Sequence, residues 1–325
     1  MRTYTNQAGV SLSLAVFLAT DTYDGKEENT LSATTLLKPI RQVILSDRVP
    51  PSHAAVDVLS LIKSRMGTAI HDSIEKSWTH SYKESMAALG YPQRVIDRVV
   101  INPAANDDLT DKIPVYMEQR RYKMIEGIRV SGKFDFVAEG RLEDFKSTSV
   151  NTWINNNKDE DYVLQGSIYR WLAPDIITQD TMAIQFIFTD WQPGRAKADP
   201  RYPARPTMQR TFKLMSMQET EAFVANRIRT LKQLWNVHES QLPLCNDKEL
   251  WRREPQWKYY KNPAKTTRST KNFDNAQDAY QQLAKDKHVG LVKEVPGEAV
   301  ACRYCPAFPV CSQKDQLIAS GDLKL

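Results

Sequence analysis

The segment from Gly132 to Thr148, GKFDFVAEGRLEDFKST, combines acidic and basic side chains at a spacing suited to phosphate chemistry. In an extended strand, residues two apart point to the same side, so Asp144 and Lys146 share one face. Carboxylate oxygens are hard ligands that suit Mg²⁺ or Mn²⁺. A lysine on the same face could orient an attacking water or stabilise charge on a phosphate. The segment therefore indicates a metal-assisted site, and the alternative is a solvated hairpin with scattered charges.

The register of this hairpin decides whether a second carboxylate joins the first. If the Glu-Gly pair at residues 139 and 140 forms a two-residue turn, Ala138 pairs with Arg141. Counting back along the ladder then places Asp135 directly opposite Asp144. Two carboxylates that face each other repel and cost stability, whereas a divalent cation between them reverses the sign of the interaction. The spacing thus predicts a metal site that joins two neighbouring strands.

Two sets of residues at helical spacing could complete such a site. Gly67, His71 and Glu75 are four residues apart, so they form one stripe along a helix. A glycine there lets another backbone approach closely, and the histidine could add a nitrogen ligand. Gln165 and Tyr169 are also four apart, and an amide and a phenol on one helix face can hydrogen-bond phosphate or base edges. The alternative for the histidine is an ordinary core or surface position.

Helices and strands must position these side chains. A short helical element limited by a central proline is expected first, and a long helix with apolar residues every three or four positions follows. Three strands then lie between breaks at Glu-Gly pairs. A serine followed by a glutamate three residues later is typical of a helix start. The predicted elements are a short helix within Thr30–Leu45, a long helix from about His53, strands within Val115–Ser147, a helix over Asp159–Leu172, a strand over Ala183–Trp191 and a helix from Ser216 to about His238. This order predicts an α/β fold in which helices flank a small mixed sheet.

Together, four short motifs resemble the RecB-like branch of the PD-(D/E)XK nuclease superfamily. That branch carries G-x-x-x-H-x-x-x-E on a helix, G-x-x-D before an acidic hairpin, D-[FY]-K-[ST] on the next strand and Q-x-x-x-Y on the following helix. Each motif is weak alone, but four in the same order form a specific signal. The resemblance covers about Thr30 to Trp191. The matching residues are Gly67, His71 and Glu75; Gly132 and Asp135; Asp144, Phe145, Lys146 and Ser147; and Gln165 with Tyr169.

The resemblance implies a role for each of these residues. The metal ligands would be His71, Asp135, Asp144 and the carbonyl oxygen of Phe145. Lys146 would be the catalytic lysine. Gln165 and Tyr169 would lie beside the scissile strand. Glu75 would support the metal ligands, and Glu118 would be a further carboxylate on the preceding strand.

The same resemblance implies an exonuclease that uses Mg²⁺ or Mn²⁺ to process double- or single-stranded DNA ends during recombination or replication. The whole-chain pattern looks most like phage-encoded members, which typically work beside a single-strand annealing recombinase. Two alternatives are open. An endonuclease of the same superfamily would carry the same active-site residues, and a DNA-binding scaffold would keep the fold without catalysis.

The four cysteines of the chain form a second constellation near its C-terminus. Three of them, in the pattern C-x-x-C-x5-C, resemble the C-terminal triplet with which several RecB-like nucleases hold a [4Fe-4S] cluster. In those relatives the fourth cysteine precedes the nuclease core, whereas here Cys245 is the one candidate. A zinc site would use the same four thiolates, so Zn²⁺ is the alternative. The predicted ligands are Cys245, Cys302, Cys305 and Cys311.

A basic and aromatic stretch from Trp251 to Lys271 separates Cys245 from the triplet. Cationic side chains can follow phosphates while aromatic rings stack on unpaired bases, which favours a surface that guides a DNA strand. A solvated loop over the metal module is the alternative interpretation. The candidate DNA-binding residues are Arg252, Arg253, Trp257, Lys258, Tyr259 and Lys261.

Bulk properties fit these expectations. The 325 residues carry a formal net charge of +5, and a mildly basic chain suits a nucleic-acid partner. No apolar run approaches the ~20 residues needed to cross a bilayer. The start lacks the cationic segment and cleavage site of a secretory signal, so a cytoplasmic protein that does not enter the membrane is expected. Three regions are predicted: an N-terminal segment at 1–29, a nuclease core at 30–240 and a cysteine-rich metal module at 241–325.

Overall fold

The computed structural model describes residues 3–20 and 27–324. The predicted N-terminal segment, 1–29, is therefore described in part, and its remaining residues lie outside the described ranges. The helices and strands, in chain order, are β1 (Tyr4–Thr5), α1 (Leu12–Ala19), β2 (Thr30–Ser32), α2 (Ala33–Leu36), α3 (Ile40–Asp47), β3 (Val56–Asp57), α4 (Ile62–His80), α5 (Tyr82–Ala88), α6 (Gln93–Ile96), β4 (Val99–Ile101), β5 (Ile113–Ile125), β6 (Ile128–Ala138), β7 (Arg141–Thr148), α7 (Val150–Asn155), α8 (Asp159–Leu172), β8 (Thr181–Phe188), α9 (Pro193–Ala198), β9 (Thr207–Lys213), α10 (Met217–Leu234), β10 (Gln256–Tyr260), β11 (Lys271–Phe273), α11 (Ala276–Lys285), β12 (Leu291–Val295) and α12 (Ser312–Ala319).

The chain divides into two compact units, each built from two segments of sequence. The first unit comprises Met1–Leu37 and Ala55–Lys232, and the second comprises Lys38–Ala54 and Gln233–Leu325. The sequence predicted boundaries after residues 29 and 240. The structure instead assigns residues 38–54 to the second unit. No helix in the described ranges is both long enough and apolar enough to cross a membrane.

The first unit is a mixed α/β fold around a sheet with strand order β4-β5-β6-β7-β8-β9, in which β2 pairs with β6 off this path. The neighbours β5 and β6 are antiparallel, as are β6 and β7, whereas β7 and β8 are parallel. The strands β7 and β8 are separated along the chain by α7 and α8, as a parallel crossover requires. This architecture agrees with the predicted α/β class.

Both Glu-Gly turns of the sheet have a left-handed backbone. Glu126 and Gly127 have φ of 51° and 70°, and Glu139 and Gly140 have φ of 50° and 77°. Two consecutive positive φ values characterise the tight turn whose twist matches that of paired strands. The second turn pairs Ala138 with Arg141, so the predicted hairpin register is confirmed.

The strands β6 and β7 separate soon after this turn. Their ladder contains Phe136–Glu143, Val137–Leu142 and Ala138–Arg141 and then ends. The outer part of β6 pairs with β2 through residues 129–131 instead, while β7 continues along β8. Asp135 and Asp144 are the next positions in register beyond the last pair. The acidic residues therefore lie where the two strands diverge, and their side chains do not have to fit a closed ladder.

Glycines let the helices approach the sheet at this point. A methyl group added at Gly67 of α4 would lie 3.3 Å from the hydroxyl of Ser147 on β7. One added at Gly132 of β6 would lie 2.7 Å from a methyl carbon of Leu172 and 2.9 Å from the ring of Tyr169, both on α8. The glycines of two sequence motifs thus have packing roles, because they set the distance from each helix to the sheet.

The helix at Asp159–Leu172 and the capping box of α10 follow the sequence prediction. Ser216 Oγ accepts a hydrogen bond from the backbone N–H of Glu219 at 3.2 Å, and the Glu219 carboxylate accepts one from the Ser216 N–H at 2.9 Å. The single helix expected within Thr30–Leu45 was wrong. That region contains β2, α2 and α3, and Pro39 precedes the first residue of α3 because proline lacks the N–H that a helix interior requires.

The second unit contains a three-stranded antiparallel sheet of order β11-β10-β12, with α11 between β11 and β12 along the chain. The cysteine segment packs around a small core of Leu250, Ala299, Leu317 and Leu323, and Cys245 and Cys302 border this core. The C-terminal residues are therefore part of a folded module.

We predict that Gly132→Ala destabilises the first unit by about 1–3 kcal/mol, because the new methyl group would overlap Leu172 and the Tyr169 ring. Gly194→Ala is a matched control, since no atom lies within 4 Å of its added methyl group. Urea unfolding of both variants measures the difference. Equal stability of the two variants would contradict the packing role of Gly132.

Candidate functional site

Three potential metal-binding side chains converge on one point of the first unit. One ligand atom from each of His71, Glu118 and Asp135 lies within 4.8 Å of the others. The His71 Nδ1 atom is 3.5 Å from an Asp135 carboxylate oxygen and 3.9 Å from a Glu118 carboxylate oxygen. One nitrogen and two carboxylates from α4, β5 and β6 are a donor set that suits a divalent cation.

The histidine is oriented by the backbone of β7. Its Nε2 lies 3.0 Å from the carbonyl oxygen of Phe145. A neutral ring that donates from Nε2 to this carbonyl presents an unprotonated Nδ1 to the two carboxylates. The Phe145 N–H in turn donates to an Asp135 carboxylate oxygen at 2.9 Å. The backbone carbonyl and N–H of Phe145 on β7 therefore position the side chains of His71 and Asp135.

The predicted ligand set is reproduced in part. His71 and Asp135 lie together, and the Phe145 carbonyl contacts the histidine. Asp144 is 1% exposed and pairs with Lys146, whose Nζ is 2.6 Å from its Oδ2. Within the described ranges, that buried oxygen has no hydrogen bond of normal geometry. A buried carboxylate oxygen with one cationic neighbour can accept a further positive charge, so Asp144 fits a place beside a metal ion.

Glu118 has a more central position than its sequence pattern indicated. Its carboxylate contacts the Lys133 ammonium group at 2.5 Å as well as approaching His71. Its φ is 50°, a left-handed value inside a long β-strand. Such a backbone is uncommon for a residue other than glycine and is costly unless its surroundings fix it. An alternating strand pattern contains no sign of this distortion.

Burial and like charge together raise the pKa of Asp135 to about 7, with desolvation as the main cause and the neighbouring Asp144 as the second. Burial alone would lower the pKa of Lys146, but the carboxylates of Asp144 and Asp135 outweigh it and the net direction is upward. The lysine is therefore cationic at neutral pH. The site holds more acidic groups than its own cations neutralise easily, which is the condition that favours a bound metal ion.

The second helix motif lies on α8, whose Tyr169 ring packs against Gly132 of β6. The Gln165 side-chain amide donates to the Tyr169 hydroxyl at 2.7 Å, so the two residues form one unit on α8. Tyr162, one turn earlier on the same helix, places its ring centre 5.9 Å from the Lys146 ammonium group. Tyr169 is 5% exposed. Glu75 is half-buried on α4, one turn beyond His71.

The four predicted cysteine ligands all lie in the second unit, and each is half-buried and unpaired by disulfides. Desolvation raises the pKa of Cys245 to about 12, and the other three cysteines contribute to this shift. Among the described residues, the four sulfurs do not form a group whose ligand atoms all lie within 4.8 Å of one another. A cavity of about 60 Å³ is lined in part by Arg41, Cys245 and Glu249.

The predicted DNA-binding stretch requires correction at two residues. Tyr259 is 1% exposed and donates its hydroxyl hydrogen to Asp286 at 2.5 Å, so it belongs to the sheet core and cannot stack on a base. Arg252 is held by Asp247 at 2.6 Å and by Asp322 at 3.2 Å. A linear basic and aromatic pattern shows neither that Tyr259 on β10 is buried nor that Arg252, which precedes the strand, is paired with two carboxylates.

The other four candidate DNA-binding residues are exposed or half-buried. Arg253 is 65% exposed at its side chain, Lys261 is exposed, and Trp257 and Lys258 are half-buried. Lys258 pairs directly with Lys293 across β10 and β12. Two cations at directly opposite positions repel, so this face of the sheet favours an anion.

Comparison with known proteins gives limited information. No family model matches the chain, and no curated protein matches it. A solved structure described as SSO0001 is 14% identical, covers 67% of this chain and 83% of its own, and has a TM-score of 0.39. A phage related exonuclease from Haemophilus somnus 129PT is 14% identical, covers 36% of this chain and 57% of its own, and has a TM-score of 0.26. At these TM-scores, function has to be derived from the side chains of this chain.

We predict that Asp135 destabilises the metal-free protein progressively as pH rises from about 4 to above 7, and that this effect dominates between pH 5 and pH 8. Asp135 has a pKa of about 7 in the folded chain against a reference value of 3.8. The folded state therefore holds this proton more tightly than the unfolded state, and its stabilising effect is lost as pH rises through this window. His71, whose pKa is also raised, acts in the same direction above its reference value of 6.5.

Thermal unfolding in EDTA at pH 5 and pH 8 measures this effect. Asp135→Asn is expected to unfold at a higher temperature than wild type at pH 8 and to lose the stabilisation that Mn²⁺ gives the wild type. Glu143→Gln, on the opposite face of β7, is the control and should keep both responses. A wild type whose stability in EDTA rises across this pH range, with Asp135→Asn unchanged, would contradict the prediction.

Proposed function

We propose that the chain is a deoxyribonuclease of the PD-(D/E)XK type that hydrolyses phosphodiester bonds at DNA ends with Mg²⁺ or Mn²⁺. The observation that carries this proposal is the convergence of His71, Glu118 and Asp135 beside the buried Asp144–Lys146 pair. A divalent ion there would lower the pKa of a water molecule and offset negative charge on the phosphate. The donor set, the buried acidic oxygen and the raised pKa of Asp135 all fit such an ion.

Each side chain then has a distinct role. His71, Asp135 and Glu118 would hold the ion from the side of α4, β5 and β6, and Asp144 with the Phe145 carbonyl from β7. Lys146 would hold the attacking water in position or stabilise the phosphate, because it is cationic. Gln165 would contact the strand to be cut, with its side chain held by the buried hydroxyl of Tyr169, and Glu75 would support the ligands from α4.

The choice of an exonuclease rests on the resemblance to RecB-like enzymes. The helix motifs around His71 and Gln165 are those of that branch. The proposed setting is the recombination or replication of phage DNA in a host cytoplasm, beside a single-strand annealing recombinase. An endonuclease of the same superfamily is the alternative, because its active-site chemistry would be the same.

The second unit is proposed to contribute a DNA-binding face. Lys258 and Lys293 are directly paired across two strands, and a phosphate between them would replace repulsion with attraction. Arg253, Lys261 and Trp257 are the remaining candidates from the original basic stretch. Contacts with phosphates would make binding strongly dependent on salt concentration.

We also propose that the four cysteines bind a [4Fe-4S] cluster. Four thiolates from two sequence segments satisfy such a cluster, and Zn²⁺ is the alternative occupant of the same donors. Iron and acid-labile sulfide in equal amounts, with absorbance near roughly 400 nm, would support the cluster. One zinc ion per chain would support the alternative.

The catalytic proposal is tested by digestion of end-labelled linear DNA beside covalently closed circular DNA, in Mg²⁺, Mn²⁺ or EDTA. Wild type is expected to degrade the linear DNA alone, in the presence of either metal. Asp144→Asn keeps the size of the side chain but removes its charge, so activity should fall at least about 100-fold. Glu143→Gln, one residue earlier but on the opposite face of β7, should retain activity within about twofold.

Three other outcomes would change the assignment. Cleavage of the circle would replace the exonuclease with an endonuclease. Activity in EDTA, or equal activity of Asp144→Asn and wild type, would contradict the proposed site. Binding of DNA without cleavage in any metal would favour the scaffold.

A further inference from the structure

A buried arginine lies beside the cysteines of the second unit. Arg41 lies on α3 and is 2% exposed. It belongs to the second unit although about two hundred residues separate it along the chain from its partner Leu242. Its Nε donates a hydrogen bond to the sulfur of Cys311 at 3.3 Å. A buried guanidinium group is costly unless each of its donors is used, so its position against a sulfur needs an explanation.

The remaining donors of Arg41 fix the group in place. The Nη1 atom donates to the carbonyl oxygens of Glu239 and Leu242, each at 3.3 Å. The Nη2 atom donates to the Glu239 carboxylate and to the Ser312 hydroxyl. The Glu239 carboxylate also accepts the Ser312 N–H at 2.9 Å. The guanidinium plane is thereby locked, and its Nε–H is directed at the residue that precedes Ser312, which is Cys311.

We propose that Arg41 is a positioning residue of the cysteine site, whose hydrogen bond to the Cys311 thiolate raises the reduction potential of the bound cluster. This inference rests on the proposed [4Fe-4S] cluster. Reduction adds an electron to a cluster that is already anionic with its four thiolates. A buried cation hydrogen-bonded to one of those sulfurs stabilises the more negative state, and hydrogen bonds to sulfur are among the factors that set cluster potentials.

The same contact explains why residues 38–54 belong to the second unit. The helix α3 places Arg41 next to Cys311, while Arg48 at its end donates to the carbonyl oxygens of Trp235 at 2.6 Å and Val237 at 2.9 Å. Both arginines tie α3 to the same stretch of chain. Arg41 in addition contacts a predicted cluster ligand, so the two residues form a matched pair for an experiment.

The test uses the full chain purified without oxygen, in wild-type form and as Arg41→Met, Arg41→Lys, Glu239→Gln and Arg48→Met. Iron and sulfide content, thermal unfolding and the midpoint potential from a redox titration followed by electron paramagnetic resonance are measured for each. In Arg41→Met, the ratio of reduced to oxidised cluster at a fixed potential should fall about tenfold, which is 59 mV for one electron. The midpoint potential of Arg41→Lys should lie between those of wild type and Arg41→Met.

The controls separate a change in charge from a loss of structure. Glu239→Gln removes the negative charge beside Arg41, so its potential should shift in the opposite direction, to a higher value. Arg48→Met should lower the unfolding temperature and leave the potential unchanged. If Arg41→Met does not fold, the opposite shifts of Arg41→Lys and Glu239→Gln still test the proposal.

Equal potentials in all loaded variants would overturn the role of Arg41 while leaving the cluster in place. A wild type that contains zinc and no iron or sulfide would overturn the cluster and, with it, the tuning role. Neither result would affect the Asp144 digestion experiment, so failure of the nuclease proposal is observed separately.

Discussion

The first unit depends on an electrostatic constraint at the point where β6 and β7 diverge. Asp135 and Asp144 are the first opposite residues beyond the last pair of the β6–β7 ladder, and the Glu118 carboxylate on β5 lies close to Asp135 and His71. Burial and mutual repulsion raise the pKa of Asp135 to about 7. The ammonium group of Lys146 offsets part of this charge. A divalent cation would offset the rest, so the arrangement is costly without metal and favourable with it.

The surrounding fold serves to hold these groups at short distances. The two strands separate so that acidic side chains can turn toward α4, and the backbone of Phe145 binds His71 on one side and Asp135 on the other. Glu118 reaches the group through a left-handed backbone. Glycine at position 132 lets α8 pack closely against β6, with Leu172 and the ring of Tyr169 next to its backbone. Packing, backbone strain and charge therefore depend on one another.

Local features of this design could be predicted from sequence because they depend on neighbouring residues. The Glu-Gly turn set the register of Ala138 with Arg141, and the helix over Asp159–Leu172 follows its pattern. Features that depend on contacts between distant segments could not be predicted from sequence. The positive φ of Glu118 and the end of the β6–β7 ladder result from tertiary packing, which a period-two pattern does not encode.

In the second unit, too, local features could be predicted from sequence and long-range contacts could not. Its cysteine spacing was visible in the sequence, but the contact between Arg41 and Cys311 joins residues 270 positions apart. The aromatic pattern favours a stacking role for Tyr259, yet Tyr259 is 1% exposed and Tyr260, on the other face of β10, is 5% exposed, so this end of the strand is buried on both faces. Composition identified the basic and aromatic character of this region. The assignment of each side chain to a face required the strand pairing.

The most direct test of the central constraint is the location of Mn²⁺ by anomalous X-ray scattering from crystals grown with the ion. We predict a peak in contact with Asp135 and at least one of His71, Glu118 and Asp144, at metal–ligand distances of about 2.0–2.3 Å. The peak should be absent from crystals of Asp135→Asn grown in the same way. Crystals of wild type saturated with Mn²⁺ that show no peak there, or show ions at surface carboxylates alone, would contradict the proposed metal site.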